Sequence, residues 1–176
     1  MNTTQLIKNL RQCQACKLAK VRRIVVVGRG SIPAQVLIIG EAPGKSEDLL
    51  GEAFIGQAGK LLDRMLLDAG FTSDIRVFRT NTVLCHPCDK KGGDNREPQH
   101  DEVLCCMENI QSIIEHVGAS TVILTGEVAR KYYGKIFPQA FYIQHPSFLL
   151  RTGGIGSPYY LKNIRTLEEA YGSAQE

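Results

Sequence analysis

Short apolar runs rich in β-branched residues alternate along this chain with longer segments whose apolar residues recur at helical spacing. "RIVVV" (23–27), "VLII" (36–39), "IRVFRTNTVLC" (75–85), "TVILTG" (121–126) and "FYIQH" (141–145) read as strands. "GRGSIP" reads as the turn between the first two. The intervening stretches carry helical patterns: Leu6, Ile7 and Leu10; Leu61, Leu62, Met65, Leu66 and Ala69, closed by Gly70; Val103, Met107, Ile110, Ile114 and Val117, with Pro98 in the first turn; "EVARKYYG"; and Leu161, Ile164, Leu167 and Tyr171. Strands joined through helices return in the same direction and need cover on both faces. The pattern predicts a three-layer α/β/α fold with a mostly parallel, four-stranded central sheet. With 176 residues the chain suits one domain, residues 1–176, with a substantial core.

In such sheets ligands bind beyond the carboxyl ends of the strands. The loop from Gly40, the Asn81 region and the loop from His145 all follow strand-like runs, so they are expected to converge on one cleft. The chain has no apolar run long enough to span a bilayer, and "MNTTQLIKNLRQC" has no signal-peptide core. A cytoplasmic monomer with no membrane partner is therefore expected. The formal charge of +3 permits a polyanionic partner without demanding one.

The first of these loops, "VLIIGEAPGKSED" (36–48), invites comparison with a phosphate-cradling loop. A Walker-type loop has four residues between its glycines, whereas Gly40 and Gly44 are separated by three. Pro43 removes a backbone donor, and Glu41, Glu47 and Asp48 put negative charge where phosphates would lie. A nucleotide triphosphate is a poor fit.

Six cysteines, at 13, 16, 85, 88, 105 and 106, fall in clusters that suggest a metal centre. In a cytosolic chain they should not be read as disulfides. Cys106 shares a helix face with Val103 and Ile110, whereas Cys105 shares one with Asp101, Glu108, Asn109 and Ser112. The inward position is therefore Cys106. A zinc site built from Cys13, Cys16, Cys85 and Cys88 is the alternative, although zinc knuckles usually keep their pairs closer in sequence. Cys88, in the polar loop "HPCDKKGGD", reads as spare.

"GEAPGKSED" followed by "GEAFIGQAGKLLDRML" resembles the active-site segment of the iron–sulfur uracil-DNA glycosylases, family 4 of that superfamily. The resemblance extends through "CQACKL", "TNTVLC", "NREP" and "QHPSFLLR", in order and over almost the whole chain. It implies an enzyme that flips uracil out of DNA and hydrolyses its bond to deoxyribose, leaving an abasic site for excision repair. It also implies a 4Fe–4S cluster on Cys13, Cys16, Cys85 and one of Cys105 or Cys106, and aligning "NREP" selects Cys106. Such a cluster reads as a structural staple for the N-terminal segment.

The resemblance assigns the site residue by residue. Phe54 stacks on the base and Asn81 bonds its edge. Glu47 stands near the base's C5 side, where it excludes thymine's methyl. His145 donates toward the uracil O2. Glu41 lies near the attacking water and the sugar cation. Gly40, Ala42 and Gly44 lend backbone, Ser147 and Arg151 belong to the substrate-binding "HPSFLLR", and Leu149 is the apolar wedge that fills the gap left by the base, with Leu150 in the core. The superfamily's best-known branch has a water-activating Asp where Ala42 stands, and family 4 shares that departure. Water activation falls either to Glu41 or to backbone and Asn81 contacts. Arg151, Lys162, Arg165, Lys90 and Lys91 are candidates for phosphate contact. Two departures bear on substrate: Ala53 replaces a usual proline before Phe54, and loop 86–94 is longer and more polar than the family's compact form. A glycosylase for another altered base, such as a deaminated purine or modified phage cytosine, and a non-catalytic iron–sulfur DNA-binding homologue are the alternatives.

Overall fold

A computed structural model describes residues 2–175. Its single sheet has the order β1 (Arg29–Gly30), β3 (Val77–Asn81), β2 (Val36–Gly40), β4 (Thr121–Thr125), β5 (Phe141–Ile143). β3, β2, β4 and β5 run parallel, and β1 pairs antiparallel with β3 at the edge. The parallel sheet is thus the four-stranded one expected, extended to five by a two-residue edge strand.

That edge strand corrects one reading. Residues 23–27 have buried valines but form no strand; the Val26 N–H donates to the Leu84 carbonyl instead. Pairing begins in the segment read as a turn. Gly28 and Gly30 let it approach β3 closely: a Cβ on Gly30 would fall 2.0 Å from the Val77 carbonyl oxygen, and one on Gly28 would meet the Phe78 ring at 2.4 Å. The strands in 75–85 and 141–145 are also shorter than the β-rich runs that contain them.

Alternation along β2 sorts the core into two layers. Leu37 and Ile39 join Phe78, Val122 and Leu124 under α1 (Thr3–Arg11), α4 (His100–Val117) and α5 (Glu127–Tyr133). Val36 and Ile38 join Ile123 and Ile143 under α3 (Gln57–Asp68), α6 (Pro146–Arg151) and α7 (Tyr160–Ala174). The amphipathic helices read from the sequence are present. Pro98, read as first-turn, precedes α4: Gln99 is the N-cap, and its N–H donates to Glu102 at 2.8 Å. Short α2 (Lys45–Leu50) and α6 were not foreseen as helices.

The strand register sets the site. Gly40 at the end of β2 is level with Asn81 at the end of β3, and Thr125 of β4 is level with Ile143, just before His145. The loops from Gly40, Asn81 and His145 therefore leave the same edge of the sheet.

Candidate active site

A cleft of about 530 Å³ opens at that edge. Of the residues predicted from sequence, Glu41, Ala42, Gly44, Glu47, Phe54, Asn81, His145, Ser147 and Arg151 line it. Gly40 lies behind them. A Cβ there would fall 2.5 Å from Phe54 Cζ and 2.6 Å from Asn81 Oδ1, so the missing side chain lets these two groups meet.

His145 caps α6, and its ring is oriented from behind. The backbone N–H of Ser147 donates to Nδ1 at 3.1 Å, and the Ser147 hydroxyl lies 2.8 Å from the same atom. Nδ1 is therefore an acceptor, and the single proton of a neutral imidazole sits on Nε2. Burial, followed by the nearby Arg151 charge, lowers its pKa to about 4, so the ring is neutral at pH 7. Gly126, with φ +88°, keeps the space beside it: a Cβ there would meet His145 Cβ at 3.0 Å.

Glu41 follows β2 directly. Burial raises its pKa, Glu97 raises it further, and Arg151 opposes both. A carboxylate in this setting is a stronger base than one in water. Asn81 is buried at the end of β3, and among the described residues nothing hydrogen-bonds its amide. Thr82 anchors the neighbouring backbone, donating both N–H and hydroxyl to the Gly40 carbonyl at 2.8 Å.

Phe54 has a left-handed backbone, φ 56°, which is unusual for an aromatic residue. The surroundings impose it. Arg29 Nη1 donates to its carbonyl at 3.1 Å while Nη2 engages Asp63, which also binds Arg79. Gly59 is needed beneath, because a Cβ there would fall 1.8 Å from the Phe54 carbonyl oxygen. On the far side the Glu47 carboxylate accepts from Ile55 N–H (3.0 Å), Gly56 N–H (2.8 Å) and Gly44 N–H (3.1 Å). Glu47 therefore clamps the Phe54 loop to the start of α2. The Phe54 and His145 rings are 6.5 Å apart at their centroids and inclined by 29°.

One assignment is reversed by the structure. Leu149 is fully buried (0% exposed) in the core beneath α3 and α7, so it presents no wedge. Leu150, read as core, is 42% exposed and lines the cleft. One helical step turns a side chain by about 100°, and Leu149 is the one facing the core. Asn95, Arg96 and Glu97 also line the cleft and were not singled out individually. Ala53 is fully buried and does not line the cleft. Loop 86–94 folds back through Lys45–Asp94 (2.8 Å) and Arg96–Asp89 (3.0 Å) ion pairs, which leaves Lys45 and Arg96 partnered.

The cysteines form a second feature. Cys13, Cys16, Cys85, Cys105 and Cys106 line one small cavity between the segment after α1, the segment after β3 and α4. Cys106 is buried and Cys105 exposed. Cys88 lies outside it, and its thiol points to the His86 carbonyl at 3.6 Å, so the zinc set is not assembled. Among the described residues no three His, Cys, Asp or Glu side chains are arranged to hold a single metal ion. Burial pushes the Cys85 and Cys106 thiols up to about 12, each aided by neighbouring cysteines, so without a metal they stay protonated. The donor set fits an iron–sulfur cluster: several thiols from separate segments, with an Asn109 amide donating to Cys13 Sγ at 3.3 Å and Arg22 donating to the Cys13 carbonyl at 2.5 Å. Among the described residues no helix is long and apolar enough to cross a membrane.

The profile of the uracil DNA glycosylase superfamily matches residues 27–168. Curated relatives include type-4 uracil-DNA glycosylases from Saccharolobus solfataricus, 38% identical over 76% of this chain, and Archaeoglobus fulgidus, 32% identical over 77%. One from Thermotoga maritima is 31% identical over 72%. The chain spans 60%, 65% and 62% of the length of these three relatives.

Proposed function

Because this chain belongs to the uracil DNA glycosylase superfamily, we propose that it hydrolyses the N-glycosidic bond of uracil in DNA and leaves an abasic site. The observation that carries the reading is His145, its Nδ1 accepting from the Ser147 N–H and its ring in one cleft with Phe54 and Asn81. A base admitted there meets an aromatic face, an unpartnered amide and an imidazole donor. A base within duplex DNA must leave the stack to reach it.

The chemistry then follows from charge. As the C1′–N1 bond breaks, its electrons pass to uracil and positive charge develops on the sugar. The Nε2–H of His145 stabilises negative charge at a uracil carbonyl oxygen without giving up its proton. Glu41 stabilises the sugar cation and accepts a proton from the water that bonds to C1′. Asn81 holds the base edge, and Phe54 supplies its stacking face. Glu47 acts through Phe54, as a positioning residue. Leu150 takes the wedge role, and Arg151, exposed at the rim, meets DNA phosphate.

Cys13, Cys16, Cys85 and Cys106 would hold a 4Fe–4S cluster that fixes the N-terminal segment against α4. When bound, it supplies covalent cross-linking rather than a step of the hydrolysis. The protein acts as a monomer on uracil-containing DNA.

The test is base release from a labelled single-stranded oligonucleotide carrying one uracil, read as strand scission in alkali. Scission with uracil and not thymine, reduced about 10²–10³-fold in His145→Ala, is the expected result. Cluster-loaded protein that yields no scission overturns the reading.

A further inference from the structure

Glu102 is fully buried in the first turn of α4 and has no part in the chemistry above. A buried carboxylate is tolerated only where its charge is matched and its oxygens are bonded. Two segments distant in sequence meet that need. Arg96 donates from Nη1 to Oε2 at 2.9 Å and from Nη2 to Oε1 at 2.7 Å. Lys17 Nζ stands 3.8 Å from Oε1. The Gln99 N–H completes the set, donating to Oε2 at 2.8 Å. Burial raises the Glu102 pKa, but Arg96, the Gln99 N–H and Lys17 more than offset it, so the carboxyl stays ionised. Arg96 is itself shared, because its Nε donates to exposed Asp89 at 3.0 Å. Lys17 therefore supplies charge that Arg96 alone does not.

Each cation leads to a different feature. Arg96 lines the cleft with Glu97; its Nη1 also donates to the Glu97 carbonyl at 3.1 Å, and its backbone N–H donates to the Pro87 carbonyl at 3.1 Å. Lys17 directly follows Cys16, which lines the cysteine cavity. Cys106 of that cavity is four residues after Glu102, one turn further along the buried face of α4. Lys17 also meets Gln99 Oε1 and, at 2.9 Å, exposed Asp101, but neither of these residues lines the cleft. Water reaches Glu102 only if this corner opens and frees Arg96. In the open form the carboxylate is hydrated and needs no cation, so Lys17 favours the closed form and makes opening rarer.

We infer that Glu102 is a positioning residue for the cleft, holding the Arg96 fork and with it the wall at residues 96 and 97, and that Lys17 braces it, so that the cysteine-bearing segment and the cleft are coupled through one buried carboxylate. The inference rests on the proposed reading of the cleft as a DNA site. Neither Glu102 nor Lys17 touches substrate; both act through Arg96.

The experiment compares cluster-loaded wild type with Lys17→Met, Glu102→Gln, the Lys17→Met/Glu102→Gln double variant and Asp101→Asn. Amide hydrogen exchange is followed by mass spectrometry at residues 95–97, where the Arg96 N–H is bonded, and at residues 54–56 as a control across the cleft. KM and kcat are measured on a uracil oligonucleotide. Glu102→Gln loses the charged acceptor of the fork, so KM should rise about tenfold with kcat little changed, and exchange at 95–97 should quicken. Lys17→Met removes one partly exposed ion pair, so exchange at 95–97 should quicken about twofold to fivefold while 54–56 stays as in wild type. The double variant should exchange no faster than Glu102→Gln alone. Asp101→Asn, which leaves Glu102 and its partners in place, should match wild type. A Glu102→Gln protein with a lowered Tm but unchanged KM and exchange has lost only stability, and that result overturns the inference. So does unchanged exchange in Lys17→Met, equal acceleration in Asp101→Asn, or a full further acceleration in the double variant. Lys17 is half-exposed, so Lys17→Met decides the matter even if Glu102→Gln fails to fold. The exchange pattern in protein that releases no uracil would overturn the glycosylase reading and leave the coupling standing, whereas uracil release with wild-type exchange in Lys17→Met would do the reverse.

Discussion

Two titrating groups face each other's chemistry in the cleft, and their pKa values move in opposite directions. His145 is lowered to about 4 by burial and Arg151, so it stays neutral across the working range. Glu41 is raised by burial and by Glu97, so it takes up a proton above the usual carboxylate range. Activity that needs Glu41 ionised should fall as pH drops through its raised value, and this acid limb should belong to Glu41 rather than His145. A pH profile of kcat/KM measures it, with the limb lost in Glu41→Gln at a greatly reduced rate. The same burial costs folding free energy while Glu41 is charged, so Glu41→Gln should raise Tm as it lowers activity. His145 contributes a separate acid sensitivity. Its folded value lies below the unfolded value of about 6.5, so the unfolded state binds the proton first. Stability should fall as pH drops below about 6.5 and level off near 4, and this slope should be reduced in His145→Gln, as followed by thermal melts.

At the level of elements, the site depends on where short segments turn. The apolar runs of β2 and β4 were plain in sequence because they are buried on both faces. Residues 23–27 carry the same valines, but apolar composition does not distinguish a strand in the sheet from a non-strand segment buried in the core. β1 is two residues long and lies among glycines, so it left no pattern to read. In α6 six residues are too few to fix a helical face, and Leu149 and Leu150 were exchanged as a result. The convergence of Glu41, Asn81 and His145 was legible, since each lies at or just beyond the end of a strand of one parallel sheet. The clamp by Glu47 was not, because its partners are backbone amides. It makes a prediction that differs from direct base contact. Glu47→Gln keeps the size but loses the charge-assisted acceptor for Ile55 and Gly56, so it should loosen the Phe54 loop. It should raise KM for uracil DNA several-fold and speed hydrogen exchange at residues 54–56, whereas a residue that merely excludes thymine's methyl would leave that exchange unchanged.

Across the whole molecule, α1 is held at two places: Leu6 and Leu10 enter the core over α4, and the cysteines that follow reach the same helix. Lys17 reinforces the junction through Gln99 and Asp101, the latter at 2.9 Å. That salt bridge is exposed and contributes little by itself. The cross-links of the proposed cluster should matter more, because they would join segments distant in sequence. On the proposed assignment of Cys106 to the cluster, Cys106→Ser should abolish the broad visible absorbance of an iron–sulfur cluster and expose residues 2–22 to limited proteolysis before the body of the fold. Cys88→Ser should do neither. Sequence brought the cysteines forward as a group and read Cys88 as spare, and in the fold Cys88 lies outside the cavity, its thiol toward the His86 carbonyl.

The parallel order of β3, β2, β4 and β5 also bears on how such a protein can change over generations. Each strand hands its chain to a separate loop, and the frame of the sheet lies beneath them all. Segment 89–97 is mostly exposed and is tied to its surroundings by the Lys45–Asp94 and Arg96–Glu102 ion pairs. A lineage could therefore exchange this segment for one of different chemistry and acquire a new preference at the cleft while inheriting the same scaffold.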